Sequence, residues 1–499
     1  MIDVDSWAAL DTRMRELADL AHVRELLGWD KEAKMPLRAA EARARQQATM
    51  RGIYHERIGD PRLGELLEEL AGDPDPARAA MVRNLRHRHE RAVKLPVEFA
   101  QRLAFAESRG STIWRVARRE NDFASFLPAL EGIIELKREE AELVGYDGEA
   151  YDALLDEFEP GMTAARLEPL LGELRDETLS LLGEIQAAGQ LPPAPFEGRA
   201  FSADAQWAFT IEVLRDLGFD LDAGRQDVSA HPFSSSAALR DVRLTTRIDE
   251  LDPFSGLFAT IHECGHGLYE QGFDPAYEDT PVAEAPSHGI HESQSRLWEN
   301  IVGRSRAFWE RYTPLMREAF PEAMAGVDVD DVYRHVNRVA PSLIRVEADE
   351  VTYNLHIAVR FRMELAVMRG ELSAADLPAA WNDAYEELLG VRSDTDADGV
   401  MQDIHWSSGS IGYFPSYSLG NLYSAVLWEA LEADHPDVEQ RIAAGDLGVV
   451  LGWMREHVHR RGYLEESEDT VRRATGRGLE VQPLIRYLRA RRGPLYGLA

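Results

Sequence analysis

The sequence predicts a mainly α-helical protein with one small β element near residues 240–250. Apolar residues recur at steps of three and four through long stretches such as residues 164–188, which is the spacing of a buried helix face. Residues 242–248 instead alternate apolar or β-branched side chains with arginine and threonine, which is typical of a half-buried strand. The chain has 499 residues, 44% of them hydrophobic, so it can bury a substantial core.

The helical pattern begins at Trp7 and continues to about Leu191. A proline-rich stretch, residues 189–200, then predicts a surface loop, because proline ends helices and favours turns. Helix resumes at about Ala203. The first part of the chain is therefore predicted to be helical throughout, apart from this connector.

The strand pattern lies within residues 234–250. This segment is predicted to form one arm of a small sheet. Helical patterns return after it and run to about Leu488. Residues 405–421 are rich in Gly, Ser, Tyr and Pro and are predicted to interrupt these helices.

Charge and composition exclude several classes of function. The formal net charge of −32 disfavours binding to nucleic acid through its phosphates. The chain contains no stretch of roughly 20 apolar residues, the length that a membrane helix needs, and its start has neither the basic nor the apolar region of a secretory signal. Its one cysteine, Cys264, excludes an internal disulfide and suits a reducing compartment. We therefore expect a cytoplasmic protein.

Residues 260–272 read TIHECGHGLYEQG, with two histidines four positions apart and a glutamate directly after the first. Asp252 followed by Pro253 is typical of a helix start, so this stretch is predicted to be helical. Residues four apart share one face of a helix. The imidazoles of His262 and His266 are therefore predicted to bind one metal ion, with Glu263 beside it.

A catalytic zinc ion needs a third protein ligand and one open position. A second helix is predicted to begin near Ser287, and it carries Glu292 far enough beyond His266 to fold back beside the first helix. Glu292 is therefore the favoured third ligand. His288 and His291 stay open as alternatives, because a third histidine also satisfies zinc. A capped surface helix stabilised by salt bridges is the non-functional interpretation of this segment.

Such a site constrains the chemistry. Zinc acidifies its water ligand and polarises a carbonyl group, while Glu263 takes the proton and later passes it to the leaving amine. The predicted reaction is hydrolysis of an amide bond, with a peptide as the substrate. Hydrogen-bond donors are then needed for the negative charge that develops on the carbonyl oxygen.

Further short motifs accompany this segment, and two longer stretches, residues 26–36 and 151–163, belong to the same pattern. The motifs are HPF at 231–233, DxRxT at 241–245, HESQ at 291–294, IRxxAD at 344–349 and GxxQDxHW at 399–406. In this combination and order, the chain resembles the carboxypeptidase Taq family of zinc metallocarboxypeptidases over nearly its whole length.

The resemblance implies a single, large helical metallopeptidase fold over residues 1–499 with a deep active-site groove. We expect the helices of about residues 1–230 to roof this groove and about residues 231–499 to carry the metal motifs. The resemblance also implies a homodimer and a bound Zn²⁺ ion, for which Co²⁺ sometimes substitutes.

Carried onto this chain, the family's metal ligands would be His262, His266 and Glu292, and its general base would be Glu263. These are the residues that the spacing argument selects independently.

An exopeptidase must recognise the terminal carboxylate of its substrate, and an arginine can bind that group with two hydrogen bonds. Arg345 is predicted to do so, with Arg243 as a second candidate. The alternative for Arg345 is an ion pair with Glu347 or Asp349 on a helix surface. Arg243, on an edge strand, would instead align the substrate backbone or be solvated.

His405 and Tyr417 are predicted to stabilise the negatively charged oxygen. They lie in one glycine-rich segment, and related helical zinc peptidases use a histidine and a tyrosine at comparable spacing. Tyr413 is the alternative tyrosine. Packing of either tyrosine in a GYFP turn is an equally good interpretation.

Metal ligands are usually oriented by hydrogen bonds to neighbouring groups, and the sequence offers several candidates without pairing them. His231 is predicted to be structural or close to the substrate, and Cys264 to pack as a small apolar residue. The candidates for orienting the ligands are Asp241, Asp349, Gln402 and Asp403, and Glu299 lies on the same predicted helix as Glu292.

The favoured function is that of a carboxypeptidase of broad specificity, which removes single residues from short peptides with a free C-terminus. An oligoendopeptidase or dipeptidyl carboxypeptidase on the same scaffold is the alternative. A third hypothesis is a non-catalytic peptide-binding protein, but Glu263 argues against it, because binding alone needs no general base.

Overall fold

The structure, a computed structural model, describes residues 4–189, 191 and 195–498. It confirms the mainly α-helical fold with a small β-sheet. Helices pack through their apolar faces, and the sheet packs against the helix that carries the HECGH segment. None of the helices described combines the length and the apolar character that crossing a membrane requires.

Helices fill the first part of the chain, as the apolar spacing predicts, and the predicted resumption at Ala203 is confirmed. The predicted loop at residues 189–200 lies partly outside the described residues, and residues 195–198 form a turn. The helices before the sheet are α1 (Val4–Ala33), α2 (Ala40–Ile58), α3 (Pro61–Glu69), α4 (Pro76–Lys94), α5 (Val97–Glu120), α6 (Phe123–Val144), α7 (Ala150–Leu155), α8 (Ala164–Ala188) and α9 (Ala203–Leu217).

Buried hydrophobic side chains form two clusters among the described residues. The larger cluster extends from α5 to α20 and includes the helices on both sides of the groove described below. The smaller cluster belongs to α1–α4, and its members include Leu10, Leu63, Leu66 and Leu85. Polar contacts join α4 to the later chain, where the Asn84 amide donates to the carbonyl oxygens of Pro281 and Tyr463 at 3.1 and 2.8 Å.

The sheet has three strands, β1 (Gly224–Val228), β2 (Ser234–Ala238) and β3 (Asp241–Thr246), in the order β1-β3-β2. The central strand β3 runs parallel to β1 and antiparallel to β2. The predicted strand is therefore confirmed as β3, but the expectation that Arg243 lies on an edge strand is wrong. The strands β1 and β2 were not predicted, because GRQDV and SSSAA lack an alternating apolar pattern.

The second part of the chain returns to helix, as predicted. Two short 3₁₀ turns, Arg345–Glu347 and His405–Ser408, and a π-helical segment, Leu297–Val302, also contribute to the site. The helices are α10 (Pro253–Glu270), α11 (His288–Arg296), α12 (Arg306–Ala319), α13 (Val329–Val336), α14 (Tyr353–Met368), α15 (Leu377–Leu389), α16 (Pro415–Asp434), α17 (Val438–Ala443), α18 (Gly448–His457), α19 (Ser467–Thr475) and α20 (Gln482–Arg492).

The predicted interruption at residues 405–421 is only partly correct. The structure has a 3₁₀ turn at its start, but α16 already begins at Pro415, so Tyr417 lies on a helix and not in a loop. Proline is favourable at the first position of a helix because the missing N–H has no intrahelical partner there. The same residue that suggested a loop therefore starts a helix.

Candidate metal centre

A groove with a volume of about 2320 Å³ contains most of the predicted site residues. From the N-terminal helices, Tyr54, Arg88 and Phe99 line it. After the sheet, two of the surfaces that line the groove carry most of the predicted site residues. We call them the metal wall, which comprises the groove-facing residues of α10 and α11, and the tyrosine wall, which comprises Arg345, Tyr413 and Tyr417 with His405 behind them.

The metal wall brings His262, His266 and Glu292 together, with one possible ligand atom of each within 4.8 Å of the others. The Nε2 atoms of the two histidines lie 3.8 and 3.4 Å from Glu292 Oε2. A divalent metal ion bound between two imidazole nitrogens and one carboxylate oxygen is therefore compatible with this cluster. His288 and His291, the alternative third ligands, are not part of it.

Two local features place these ligands. The side chain of Asp252 accepts hydrogen bonds from the first backbone N–H groups of α10, and Ser287 caps α11 in the same way, so both predicted helix starts are confirmed. At Gly265, between the two histidines, an added Cβ would lie 2.6 Å from the Cα of Ser295. The glycine in HECGH thus lets α11 approach closely enough to bring Glu292 to the histidines.

The Nδ1 atom of His262 lies 2.8 Å from Glu299 Oε2. A carboxylate accepts a hydrogen bond from Nδ1–H and so orients the ring with Nε2 toward the cluster, where a metal ion would displace the proton on Nε2. Although burial alone lowers it, Glu292 and Glu299 raise the pKa of His262 to about 8. Glu299 is therefore a group that orients His262, a role that the sequence did not assign to it.

The second histidine of the cluster, His266, has a different partner. Its Nδ1 atom lies 2.6 Å from Nδ1 of His291, and the far nitrogen of His291 lies 2.8 Å from Glu270 Oε1. Burial and the neighbouring His291 lower the pKa of His266 to about 3, so its ring is neutral. His291 thus stands behind His266, which explains why a histidine next to Glu292 does not itself join the cluster.

The carboxyl group of Glu292 is held by groups on its own helix. Arg296 Nε donates to Oε1 at 2.6 Å, and the hydroxyl of Ser295, which donates to the backbone carbonyl oxygen of Glu292 at 2.7 Å, lies 3.3 Å from Oε2. Burial raises the pKa of this carboxyl, but Arg296 and the two histidines outweigh burial and hold the pKa well below its ordinary value. Glu292 is therefore ionised, as a metal ligand must be.

Glu263 lies beside this cluster and is 6% exposed. Burial, reinforced by the charge of Glu292, raises the pKa of Glu263 to about 7. A carboxyl group with this pKa can take up and release a proton near neutral pH, which is the property of a general base. Cys264 is fully buried in the core on the same helix, as predicted.

The tyrosine wall places aromatic hydroxyl groups in the same groove. Tyr413 and Tyr417 line it, whereas His405 lies behind them and is not among the lining residues. His405 Nε2 lies 3.1 Å from the Tyr417 hydroxyl oxygen, and its buried Nδ1 has no hydrogen-bond partner among the described residues. Burial lowers the pKa of His405 to about 3, so the ring is neutral.

Arg345 lines the groove but is 5% exposed, and its guanidinium already has partners. Nε and Nη2 donate to Asp403 Oδ1 at 3.0 and 2.8 Å, and Nη1 donates to the Tyr353 hydroxyl at 2.9 Å. Its ion pair is with Asp403, not with Glu347 or Asp349. A second buried arginine, Arg360, donates to the other oxygen of Asp403 at 2.7 Å.

Arg243, the second candidate for the carboxylate, is not among the groove-lining residues. It donates two hydrogen bonds to Asp241, and its guanidinium lies 4.2 Å from the ring of Trp29 on α1. Arg243 therefore connects the central strand to the first helix. His231, by contrast, lines the groove, in agreement with a position close to the substrate.

The four residues proposed to orient the ligands bond elsewhere. Asp241 pairs with Arg243, and Asp349 accepts from backbone N–H groups such as that of Val351. Gln402 and Asp403 hold Arg345 and Arg360. The three residues of the cluster instead contact Glu299, His291 and Arg296.

A helical signal for two of these three was present in the sequence. Glu299 follows Glu292 by two turns and Arg296 follows it by one, so both share its side of the helix. The pairing of His291 with His266 depends on how α10 and α11 pack, and spacing does not reveal it.

Comparisons with known proteins agree with this architecture. A sequence-family profile described as carboxypeptidase Taq (M32) metallopeptidase matches residues 9–492. Thermostable carboxypeptidase 1 of Thermus thermophilus is 45% identical over 498 residues, with 97% of each chain covered. Carboxypeptidase 1 of Bacillus subtilis is 37% identical over 487 residues, again with 97% of each chain covered.

Solved structures show the same similarity. The crystal structure of an M32 carboxypeptidase from Deinococcus radiodurans is 42% identical, with a TM-score of 0.96 and coverage of 99% of this chain and 100% of that one. A carboxypeptidase structure from Pyrococcus furiosus is 36% identical, with a TM-score of 0.95 and coverage of 98% and 99%.

Proposed function

The chain belongs to the carboxypeptidase Taq family of metallopeptidases, and from this premise we propose that it releases single amino acids from the free C-terminus of short peptides. That it is a metallocarboxypeptidase, and so a peptide hydrolase, follows from the family. The finer assignment is supported above all by one observation, the clustering of His262, His266 and Glu292 beside Glu263 in the groove.

We propose that His262, His266 and Glu292 hold the metal ion. Two imidazole nitrogens and a carboxylate oxygen suit Zn²⁺, with Co²⁺ as a possible substitute. When bound, the metal supplies Lewis acidity, which acidifies water and polarises the scissile carbonyl group. The ionised Glu292 and the two oriented imidazoles support this assignment, because metal ligands must be deprotonated.

Glu263 is proposed to move the proton. Its carboxylate takes a proton from the attacking water molecule and later delivers it to the nitrogen atom of the departing amino acid. A pKa of about 7 supports both steps, because near neutral pH the carboxyl group can both accept and release a proton.

Tyr417 is proposed to donate its hydroxyl hydrogen to the carbonyl oxygen as negative charge develops there. His405 then orients the hydroxyl from behind, where Nε2–H can donate to the tyrosine oxygen across 3.1 Å. Tyr413, which lines the groove next to Tyr417, is assigned to substrate contact.

Arg345 remains the proposed anchor for the terminal carboxylate. Arg345 and Arg360 share one carboxylate, that of Asp403, so the three groups together carry a single net positive charge at the edge of the groove. A substrate carboxylate would neutralise this remaining charge. Arg243 is not favoured, because its guanidinium is engaged by Asp241 and Trp29 outside the groove lining.

Short peptides are the proposed substrates, because helices of the N-terminal part line the same groove and would limit the entry of a folded chain. The division into N-terminal helices that roof the groove and a catalytic part from about residue 231 remains part of this proposal. Broad specificity is proposed as well, along with a homodimeric state and a cytoplasmic location.

An oligoendopeptidase or dipeptidyl carboxypeptidase remains the second candidate. It is favoured by the existing pairing of Arg345 with Asp403, which leaves the arginine fewer free N–H groups for a substrate carboxylate. An enzyme without a carboxylate anchor at Arg345 would cut internal bonds, and one with its anchor farther from the metal would remove dipeptides.

The test uses the zinc-loaded enzyme and an N-blocked pentapeptide, offered with a free C-terminal carboxylate and as the C-terminal amide. We expect single amino acids from the acid and much slower cleavage of the amide, measured by mass spectrometry of the first products. Dipeptides or internal cuts in both peptides would overturn the assignment in favour of the second candidate.

A further inference from the structure

We propose that Phe158, His288 and Tyr413 form the subsite for the substrate residue on the N-terminal side of the scissile bond, and that this subsite selects aromatic and large aliphatic side chains. We call these three residues the aromatic triad. The inference rests on the proposed function, because it takes the terminal carboxylate to lie at Arg345 and the scissile bond at the metal ligands.

The three rings contact one another in the groove. The ring centres of Phe158 and His288 are 5.6 Å apart, those of His288 and Tyr413 are 5.2 Å apart, and those of Phe158 and Tyr413 are 5.1 Å apart. All three pairs are edge-to-face, and all three residues line the groove. They present a nearly continuous aromatic surface to a bound peptide.

Contacts along the tyrosine wall give the direction of the substrate. The guanidinium of Arg345 lies 4.7 Å from the ring centre of Tyr417, Tyr417 lies 5.3 Å from Tyr413, and Tyr413 continues into the rest of the triad. In this series of contacts, Tyr417 stands between the carboxylate anchor and Tyr413 of the aromatic triad. A peptide with its terminal carboxylate at Arg345 and its scissile carbonyl at Tyr417 places the preceding residue at the triad.

The distance between the triad and the metal ligands is consistent with this assignment. His288 precedes the ligand Glu292 by four positions on α11, which is about one helical turn, or roughly 5.4 Å. Residues of an extended peptide advance by about 3.5 Å each. The triad is thus next to the metal ligands, at the distance of the neighbouring residue and not of one far along the peptide.

The triad is held in place before substrate binds. The backbone N–H of His288 donates to the carbonyl oxygen of Phe158 at 3.0 Å. The buried carboxyl of Glu159 accepts from Gly289 N–H at 2.5 Å and from the Ser416 hydroxyl at 2.6 Å, so it ties the Phe158 segment to the first turns of α11 and α16. A preformed subsite loses little conformational freedom on binding, which favours selectivity.

The chemistry of the triad indicates what it accepts. The side chain of His288 makes no hydrogen bond to any of the described residues. Its ring is exposed in the groove, so a bound substrate could pack against it. Aromatic side chains add edge-to-face contacts, and large aliphatic ones add buried area.

The experiment compares two series of N-blocked dipeptides with free carboxylates. One series varies the blocked residue among Phe, Leu, Ala, Gly and Asp, and the other varies the C-terminal residue. We expect the wild-type ratio of kcat/KM for Phe over Gly at the blocked position to fall about tenfold in His288→Ala, because a truncated apolar contact typically changes discrimination by about that factor. Preference at the C-terminal position should change less than about twofold.

Two further variants sharpen the test. His288→Phe keeps a ring in the open groove and should retain the preference for Phe, whereas Phe158→Ala should weaken it as His288→Ala does. Phe105→Ala serves as the matched control, because Phe105 is 68% exposed on α5 and is not among the groove-lining residues. It should leave both series unchanged.

The outcomes separate the subsite from the function. If His288→Ala leaves the Phe-to-Gly ratio unchanged, or alters the preference at the C-terminal position instead, the subsite assignment is wrong while the carboxypeptidase function stands. If the wild-type enzyme releases no amino acid from any blocked dipeptide but cleaves longer peptides internally, the proposed function fails and the subsite fails with it.

Discussion

The metal wall and the tyrosine wall differ in how their side chains are satisfied. On the metal wall, His262, His266 and Glu292 each use one side-chain atom in a hydrogen bond, and another atom of each lies within 4.8 Å of the others. On the tyrosine wall, the candidate groups bond to one another, Tyr417 to His405 and Arg345 to Asp403. The polar atoms of the metal wall converge on a position where a metal ion could bind, whereas those of the tyrosine wall form hydrogen bonds and ion pairs with neighbouring protein groups.

The two walls also differ in which segments of the chain hold them in position. Two helices and a glycine contact build the metal wall, so its geometry depends on a few local features. Separate segments build the tyrosine wall, namely a 3₁₀ turn at Arg345, another at His405 and the first turn of α16. Its buried ion pairs therefore hold together groups that are distant in sequence, and changes there should affect stability as well as activity.

The largest expected effect is on catalysis at the metal wall. Glu263→Gln removes the proton acceptor without removing a ligand, so kcat should fall by about 10²- to 10⁴-fold while the bound metal content stays unchanged. Steady-state kinetics and metal analysis of the same sample measure both. Glu347→Gln, an exposed groove position, is the matched control and should retain most activity. An active Glu263→Gln enzyme would show that another group is the base.

The next effect concerns the framework of the tyrosine wall. Asp403→Asn leaves two buried arginines without their shared counter-charge, so the free energy of unfolding at pH 7 should fall by about 3–5 kcal/mol. Denaturant unfolding measures this loss. Metal affinity should change little, because Asp403 contacts no metal ligand among those described. A stable variant with weakened metal binding would contradict the separation of the two walls.

The pH dependence of this effect follows from the pKa of Asp403. Arg345 and Arg360 outweigh burial and hold this pKa far below its ordinary value of about 3.9. A carboxyl with a lowered pKa contributes stability above its unfolded pKa and loses it as the pH falls toward the folded one. The difference between wild type and Asp403→Asn should therefore be constant from about pH 7 to 5 and shrink below about pH 4.

The smallest expected effect is on metal affinity. Glu299→Gln keeps an oxygen that accepts from His262 Nδ1–H but removes the negative charge, so the Kd for Zn²⁺ should rise by about 10- to 100-fold. Competition with a chromophoric chelator measures this Kd independently of activity. The free energy of unfolding of Glu299→Gln should be closer to that of wild type than the value for Asp403→Asn is. An unchanged Kd would mean that His262 needs no charged partner.

Much of the metal wall could be predicted from the sequence, because its pattern is local. Two histidines four apart share a helix face whatever the rest of the fold is, and Asp252 and Ser287 specify where the two helices begin. Placing Glu292 beside them required only that the second helix folds back. The structure shows that Gly265 makes this approach possible.

The differences between the sequence predictions and the structure have identifiable causes. The strands β1 and β2 are short and polar, and they exist because β3 pairs with both of them, which no local pattern reports. Pro415 resembled part of a loop and starts a helix instead. Arg243 matched the chemistry of a carboxylate anchor, but packing against Trp29 holds it outside the groove lining.

By itself, the sequence determined the mainly helical fold, the HECGH helix and, through its resemblance, the family, and it led to the proposal of Glu292 as the third ligand. These follow from periodicity and spacing, which act over a few residues along one helix. Only the tertiary structure decided that His291 stands behind His266, that Asp403 is shared by two arginines and that Phe158 meets His288 and Tyr413. Such partners come from distant segments, and their choice depends on how whole helices pack and not on any residue's immediate neighbours.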